Sequence, residues 1–242
     1  MSHRLELQEG AIVISDAHYS HLRPELLLLI EDIASKKIQT SQLILMGDIF
    51  DTLFGQVSFT QEVNKAILSF LHQISQDIEL IYLEGNHDFN LQKIFPFAKV
   101  FSLSSQPVLC SYGTKKVALA HGDFDGKSGY KLYTKLIRNP ILLSFLSLLD
   151  HFGNHFILKK LDNYLAQKDD CKEFIGFKKF IQNRALEEYA CDYFIEGHYH
   201  QNRVYSFEKF TYINLAAFAC NQRYFIVKSN KDNELLKEIR LS

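Results

Sequence analysis

The stretch LIYLEGNHDFN, residues 80–90, decides how this chain is read. A short apolar run ends abruptly in Gly85, Asn86, His87 and Asp88. An apolar run bounded by turn residues reads as a strand buried on both faces. Gly and Asn punctuate strand ends because both tolerate left-handed backbone. Taken alone, the cluster is an ordinary turn, and its meaning depends on what the other strand ends carry.

Four further runs have the same character: AIVIS (11–15), QLILM (42–46), KVALA (116–120) and YFIE (193–196). Helical periodicity fills 24–37, where Pro24 suits a first-turn position, and 59–76. Alternating strands and helices predict a layered α/β fold. An apolar and basic stretch from 127 to 160 interrupts the alternation, and a charged helical segment follows it. Residues 128–190 are therefore read as a helical insertion or lid within one domain of 1–242. RVYSF, TYINLAAF and RYFIV return to β character and are expected to complete a second sheet.

Composition narrows the function classes. At 242 residues, 47% hydrophobic and a formal net charge of -1, the chain can bury a large core and has no global basic excess for nucleic acid. Cys110, Cys171, Cys191 and Cys220 are far apart and form no C-x-x-C pair, so they are expected as reduced core thiols of a cytosolic protein. Residues 1–18, MSHRLELQEGAIVISDAH, have polar and acidic residues where an export signal needs a continuous apolar run, so export is not expected. No segment approaches the ~20 apolar residues of a membrane span.

The strand ends carry the chemistry. They read Ser15-Asp16-Ala17-His18, Gly47-Asp48-Ile49-Phe50-Asp51, Gly85-Asn86-His87-Asp88, His121-Gly122-Asp123 and Gly197-His198-Tyr199-His200. Asp16 and His18, like His198 and His200, are two apart, so in extended backbone both side chains reach one region. Open α/β sheets place their sites outside the carboxyl ends of the strands, where all these clusters fall. Imidazole, carboxylate and amide oxygen without thiolate suit Mn, Fe or Zn. Asp16, His18, Asp48, Asn86, His121, His198 and His200 exceed one ion's needs. Two ions ~3.5–4 Å apart, bridged by a carboxylate, would use them all and suit phosphoryl chemistry. Each cluster alone has a bland reading as a turn, a helix cap or a satisfied histidine; the ordered set does not.

The order D-x-H, G-D-x-x-D, G-N-H-D, H-G-D, G-H-x-H resembles the calcineurin-like metallophosphoesterases, over residues 15–200. The resemblance implies a four-layer α/β/β/α sandwich. It implies one divalent ion on Asp16, His18, Asp48 and His200, and a second on Asp48, Asn86, His121 and His198. His87 is then no ligand; it donates a proton to the leaving oxygen or stabilises the developing charge, oriented by Asp51. Asp88 is read either as an anchor behind the ligands or, by slight preference, as a cap of the following turn. Asp123 and Asp125 are read as supporting or solvated residues.

Substrate class turns on the insertion. Between 127 and 160 there are six basic residues and one acidic, with Lys127, Lys131 and Lys135 at i,i+4 spacing, Arg138 three further on, and an apolar run at 141–149. The pattern suits an anionic membrane surface or an acyl-chain cleft, and equally a solvated basic face beside a buried helix. The run from H-G-D through G-Y-x-x-Y to a basic residue and Asn-Pro is similar to the lid of the UDP-2,3-diacylglucosamine pyrophosphatases of lipid A synthesis. His87 stands where the best-known branch has Arg, which marks a divergent branch. This resemblance implies manganese, a lipid-linked UDP-sugar substrate, and a peripheral position on the cytoplasmic face of a Gram-negative inner membrane. Tyr130, Lys131, Tyr133 and Arg138 become lid candidates for nucleotide or phosphate contact. The competing readings are a soluble nucleotide or cyclic-nucleotide phosphodiesterase and a non-catalytic scaffold.

Overall fold

The computed structural model describes residues 5–126, 128–228 and 235–241. Elements are numbered in chain order. One six-stranded sheet has the order β14 (Leu236–Arg240), β13 (Arg223–Val227), β2 (Ile12–Ile14), β3 (Gln42–Leu45), β5 (Glu79–Leu83), β7 (Lys99–Phe101). The other runs β1 (Leu5–Glu6), β8 (Val108–Tyr112), β9 (Lys115–Ala120), β10 (Tyr193–Glu196), β12 (Thr211–Asn214), β11 (Arg203–Ser206). A short pair, β4 (Leu53–Phe54) with β6 (Asp88–Phe89), sits apart from both.

Alternation along each strand divides the side chains between faces. Ile12, Ile14, Leu43, Leu45, Leu80 and Tyr82 pack outward under α1 (Glu25–Ala34) and α3 (Lys65–Asp77). Their neighbours Val13, Ile44 and Ile81 turn inward to meet Val117, Leu119, Ile195 and Ile213 of the other sheet. On that sheet's outer face, Ala118, Phe194 and Tyr212 lie under Phe177 and Ile181 of α7 (Phe177–Gln182). The layers are therefore helix, sheet, sheet, helix, as expected. β2, β3 and β5 are mutually parallel, as are β9, β10 and β12, so each set delivers its carboxyl ends to one edge.

Three expectations change. RYFIV does not join the second sheet: β13 pairs antiparallel with β2 and extends the first. The helical stretch at 59–76 is two helices, α2 (Ser58–Val63) and α3, broken at Asn64, whose amide donates to the Thr52 and Thr60 carbonyls at 3.1 and 2.8 Å. A side chain that bonds nearby carbonyls competes with helix continuation. The cysteines are not all thiols: Cys171 and Cys220 form a disulfide, while Cys110 and Cys191 are free and buried. The pairing spans 49 residues and ties the connection between α6 (Phe156–Leu165) and α7 to α8 (Phe218–Asn221).

Within residues 128–190 the chain forms α4 (Ser128–Ile137), α5 (Pro140–Phe152), α6 and α7, the last packed on the second sheet as its outer layer. Asn139 caps α5, its side chain accepting from the Ile141 and Leu142 N–H groups at 3.0 Å, with Pro140 in the first turn. Leu143 and Leu158 tack α5 and α6 onto Val57 and Phe89. Much of the remaining α5 apolar surface faces outward, with Ile141 80%, Phe145 57% and Phe152 81% exposed. Among the described residues no single helix is long and apolar enough to cross a membrane. Lys131 and Lys135 are exposed on α4, and Lys127 of the same stripe lies outside the described residues.

Candidate metal centre

Both parallel strand sets end at one place. Asp16 and His18 follow β2, Asp48 and Asp51 follow β3, and Asn86 and His87 follow β5; His121 follows β9, and His198 and His200 follow β10. Asp16, His18, Asp48, His198 and His200 all hold φ between 45° and 61°, the left-handed region. Side chains other than Gly, Asn or Asp visit that region at a cost, and such residues cluster at functional sites. The fold holds them there with hydrogen bonds: the Asp16 carboxylate accepts from the His198 N–H at 3.0 Å, and Asp48 Oδ1 accepts from the His87 N–H at 2.8 Å. Gly85 has no alternative, because a Cβ there would fall 2.2 Å from Asp48 Oδ1.

The groups form three close sets: Asp16, His18 and His200; His18, Asp51 and His87; Asp48, His121 and His198. His200 Nε2 lies 3.0 Å from Asp16 Oδ1, and His121 Nε2 lies 3.4 Å from both Asp48 Oδ2 and Asn86 Oδ1. His121 and His87 are each held by Nδ1, donating to the carbonyls of Met46 and Asp51 at 2.9 and 3.0 Å, and His200 Nδ1 donates to the Asp170 carbonyl. That anchoring aims Nε2 inward at the carboxylates and amide of the cluster, and the Nδ1 contact is the usual second contact of a metal-binding histidine. His18 is held by its Nδ1 against Asp51 Oδ1 at 3.2 Å, and its Nε2 is buried without a partner. A buried unpaired imidazole nitrogen beside two carboxylates is a donor atom awaiting an acceptor for its lone pair, so the residues present fit a cation.

The electrostatics agree. Burial opposes charge on Asp48, yet the His121 and His87 rings hold it well below the usual carboxylate range. Asp16 is likewise lowered to about 2 despite burial, chiefly by His200. His198 is pushed down to about 4 by burial and by His121, which keeps its ring neutral and able to bind.

Several sequence readings are refined here. The Asp51 carboxylate does not orient His87; it meets His18, and the Asp51 carbonyl holds His87 instead. The chain turns after β3 so that the carboxylate points under His18 and towards Arg23, 3.9 Å away. Of the two readings of Asp88, the anchor holds rather than the favoured turn cap. Fully buried, Asp88 accepts from the N–H groups of Asp48 (3.0 Å), Ile49 (2.6 Å), Phe50 (3.3 Å) and Gly85 (2.9 Å) and from the Tyr82 hydroxyl (2.6 Å). It thereby ties the Asp48 loop to the Asn86 loop. Arg138 leaves the cationic stripe and turns inward, donating to the Gly85 carbonyl at 2.7 Å and to Glu84 at 3.3 Å, with its guanidinium over Phe89. Tyr130 donates to Asp123 at 2.8 Å, whereas Lys131 and Tyr133 face solvent. The Asp170 carbonyl and Arg23 were not singled out in the sequence; Arg23 pairs with the Asp170 carboxylate at 2.7 Å, and nothing local to either marks it.

A two-sheet α/β sandwich with this cluster at its joint strand ends defines a metal-assisted hydrolase. The chain belongs to the calcineurin-like phosphoesterase family, whose model matches residues 11–202. It is 24% identical over 203 residues to a UDP-2,3-diacylglucosamine hydrolase of Pseudomonas fluorescens, covering 81% of each chain. It is 26% identical over 217 residues to the Haemophilus influenzae protein of that name, covering 86% of this chain and 90% of the relative. The Psychromonas ingrahamii relative, also so named, is 28% identical over 200 residues, covering 78% and 80%. Among solved structures, a phosphoesterase from E. coli matches with a TM-score of 0.49 at 12% identity, covering 96% of this chain and all of that one.

Proposed function

We propose that the protein cleaves the pyrophosphate of UDP-2,3-diacylglucosamine, releasing UMP and 2,3-diacylglucosamine 1-phosphate. The observation that carries this reading is the juxtaposition of the buried imidazole–carboxylate cluster with a helical insertion that presents exposed apolar residues on α5. The names of the similar curated proteins support the same substrate.

Asp16, His18, Asp48 and His200 would hold one divalent ion, and Asp48, Asn86, His121 and His198 the second, with manganese the ion preferred over iron or zinc. Bound there, the ions supply positive charge for the developing phosphoryl oxygens and acidity for the attacking water. The chain's own part is positional. His87, fixed through Nδ1, presents Nε2 towards Asp48 at 4.0 Å and can give a proton to the leaving oxygen. Arg138, bonded to Gly85, holds the α4 end of the lid against the Asn86 loop. The α5 surface, Lys131 and Lys135 would sit against an anionic bilayer on the cytoplasmic face of the inner membrane, where the diacyl substrate resides.

The test is a manganese-supplemented assay on UDP-2,3-diacylglucosamine in detergent, beside bis-p-nitrophenyl phosphate, with products identified by mass. UMP and the diacyl sugar phosphate, formed far faster than nitrophenol, are expected. Hydrolysis of the generic ester alone would keep the phosphoesterase and discard the lipid substrate.

A further inference from the structure

A cavity of about 320 Å³ opens on the His198 flank of the cluster, lined by Asp123, Tyr130, Phe180, Arg184 and Tyr199 besides His198. It shares no lining residue with the cavity of about 220 Å³ beside Asp51 and α6. Its volume is at the lower end for small-molecule sites, which run from about 300 to 1,000 Å³.

The walls are aromatic. The Phe180 and Tyr199 rings meet edge to face at 5.3 Å, and the Arg184 guanidinium lies 5.8 and 5.5 Å from their centroids. The Arg184 charge is already matched, because Nε donates to Asp125 and both Nη atoms donate to Glu196. The floor is acidic. Asp123 is only 5% exposed; its Oδ2 accepts from Tyr130, and its Oδ1 is buried with no partner at all. A buried carboxylate oxygen without a donor is costly and rare. The ligand of such a cavity must bring a hydroxyl or N–H to Asp123 and a flat face to the rings. A phosphate is disfavoured by the two lining carboxylates, Asp123 and Asp125, and an acyl chain offers no donor.

The geometry points to a nucleoside site. With the phosphoryl group at the cluster, a ribose hydroxyl donates to Asp123 Oδ1, two residues from His121, and the base lies against Phe180 and Tyr199. Stacking on aromatic side chains is how proteins hold bases of any identity. This assignment rests on the substrate being a nucleotide ester. It leaves the acyl-sugar half to the other flank, towards α5 and α6, none of whose residues line the cavity.

The experiment uses the manganese-loaded protein and compares UMP, 5,6-dihydro-UMP and ribose 5-phosphate as inhibitors of bis-p-nitrophenyl phosphate hydrolysis, with calorimetry as the direct readout. Dihydro-UMP keeps every hydroxyl but has a puckered ring. UMP is expected to bind about tenfold or more tighter than ribose 5-phosphate, the size of one base-on-aromatic stack, with dihydro-UMP between them. Phe180→Leu should close the gap and Phe180→Tyr should keep it; the ratio is internal to each protein preparation, and the wild-type comparison stands if a variant does not fold. Equal binding of UMP and ribose 5-phosphate, or a gap that survives Phe180→Leu, overturns the site. Base discrimination without cleavage of the UDP-lipid would sink the proposed substrate and leave the site standing; cleavage without discrimination does the reverse.

Discussion

Replacing Asp88 by Asn tests whether one buried carboxylate holds the two loops of the cluster together. In the native protein its oxygens divide five donors: Oδ1 takes the Asp48 and Gly85 N–H groups, and Oδ2 takes those of Ile49 and Phe50 with the Tyr82 hydroxyl. An asparagine must put an NH2 where one oxygen was. Either orientation turns a donor against at least two backbone N–H groups, since only the Tyr82 hydroxyl can rotate to accept. Two buried donors left unpaired, at about 1–3 kcal/mol each, give a loss of about 2–6 kcal/mol. Burial and the Asp48 charge push the Asp88 acid up to about 7, so losing its charge offsets part of this and places the net loss towards the lower end. The assay is urea unfolding of metal-free and manganese-loaded protein, with bound metal measured on the same samples. Tyr82→Phe is the control, because it removes one donor and strands none. Asp88→Asn should lower the unfolding midpoint, reduce metal content and exceed the control severalfold. A loss below about 1 kcal/mol with full metal content would refute the reasoning.

Other consequences are simpler to state. Chelation should lower the melting temperature and manganese restore it, because a ligand that binds only the folded state adds about 2.7 kcal/mol at a hundredfold excess over its Kd; an unchanged melting temperature counts against the cluster as a metal site. Reducing Cys171–Cys220, which closes a 49-residue separation, should cost about 3–5 kcal/mol in denaturant unfolding, and identical midpoints with and without reductant would show that the bridge contributes nothing. Phe145→Asp on α5, where the side chain is 57% exposed, should leave stability within about 0.5 kcal/mol yet weaken flotation with anionic vesicles; undiminished flotation would remove α5 from the membrane contact.

Much of this was legible in the residues for a local reason. The parallel strands are buried on both faces, so they read as continuous apolar runs, and YFIE maps onto β10 without adjustment. The cluster was legible because five strand ends carry the same few residue types. What escaped is what depends on distant partners. The role of Asp88 lies in backbone N–H groups some forty positions earlier, and a backbone donor has no letter in the sequence. The placement of β13 depends on which edge its antiparallel partner offers, and both sheets present apolar strands. The Cys171–Cys220 pair shows in the sequence only as two separate letters, one in the insertion and one after β12. Asp51 lies beside His18 and His87, but its two contacts, carboxylate to His18 and carbonyl to His87, divide along a turn whose direction the spacing does not give.

The cluster is shared between the sheets: Asp16, His18, Asp48 and Asn86 rise from one, and His121, His198 and His200 from the other, with Asp16 and His200 separated by 184 positions. Neither sheet alone can assemble both sets of donors. Contacts this distant along the chain form late and slowly. A metal ion held by both sets would therefore be a timekeeper for folding: the moment at which it became tightly held during refolding would mark the docking of the two sheets, and its departure on unfolding their separation.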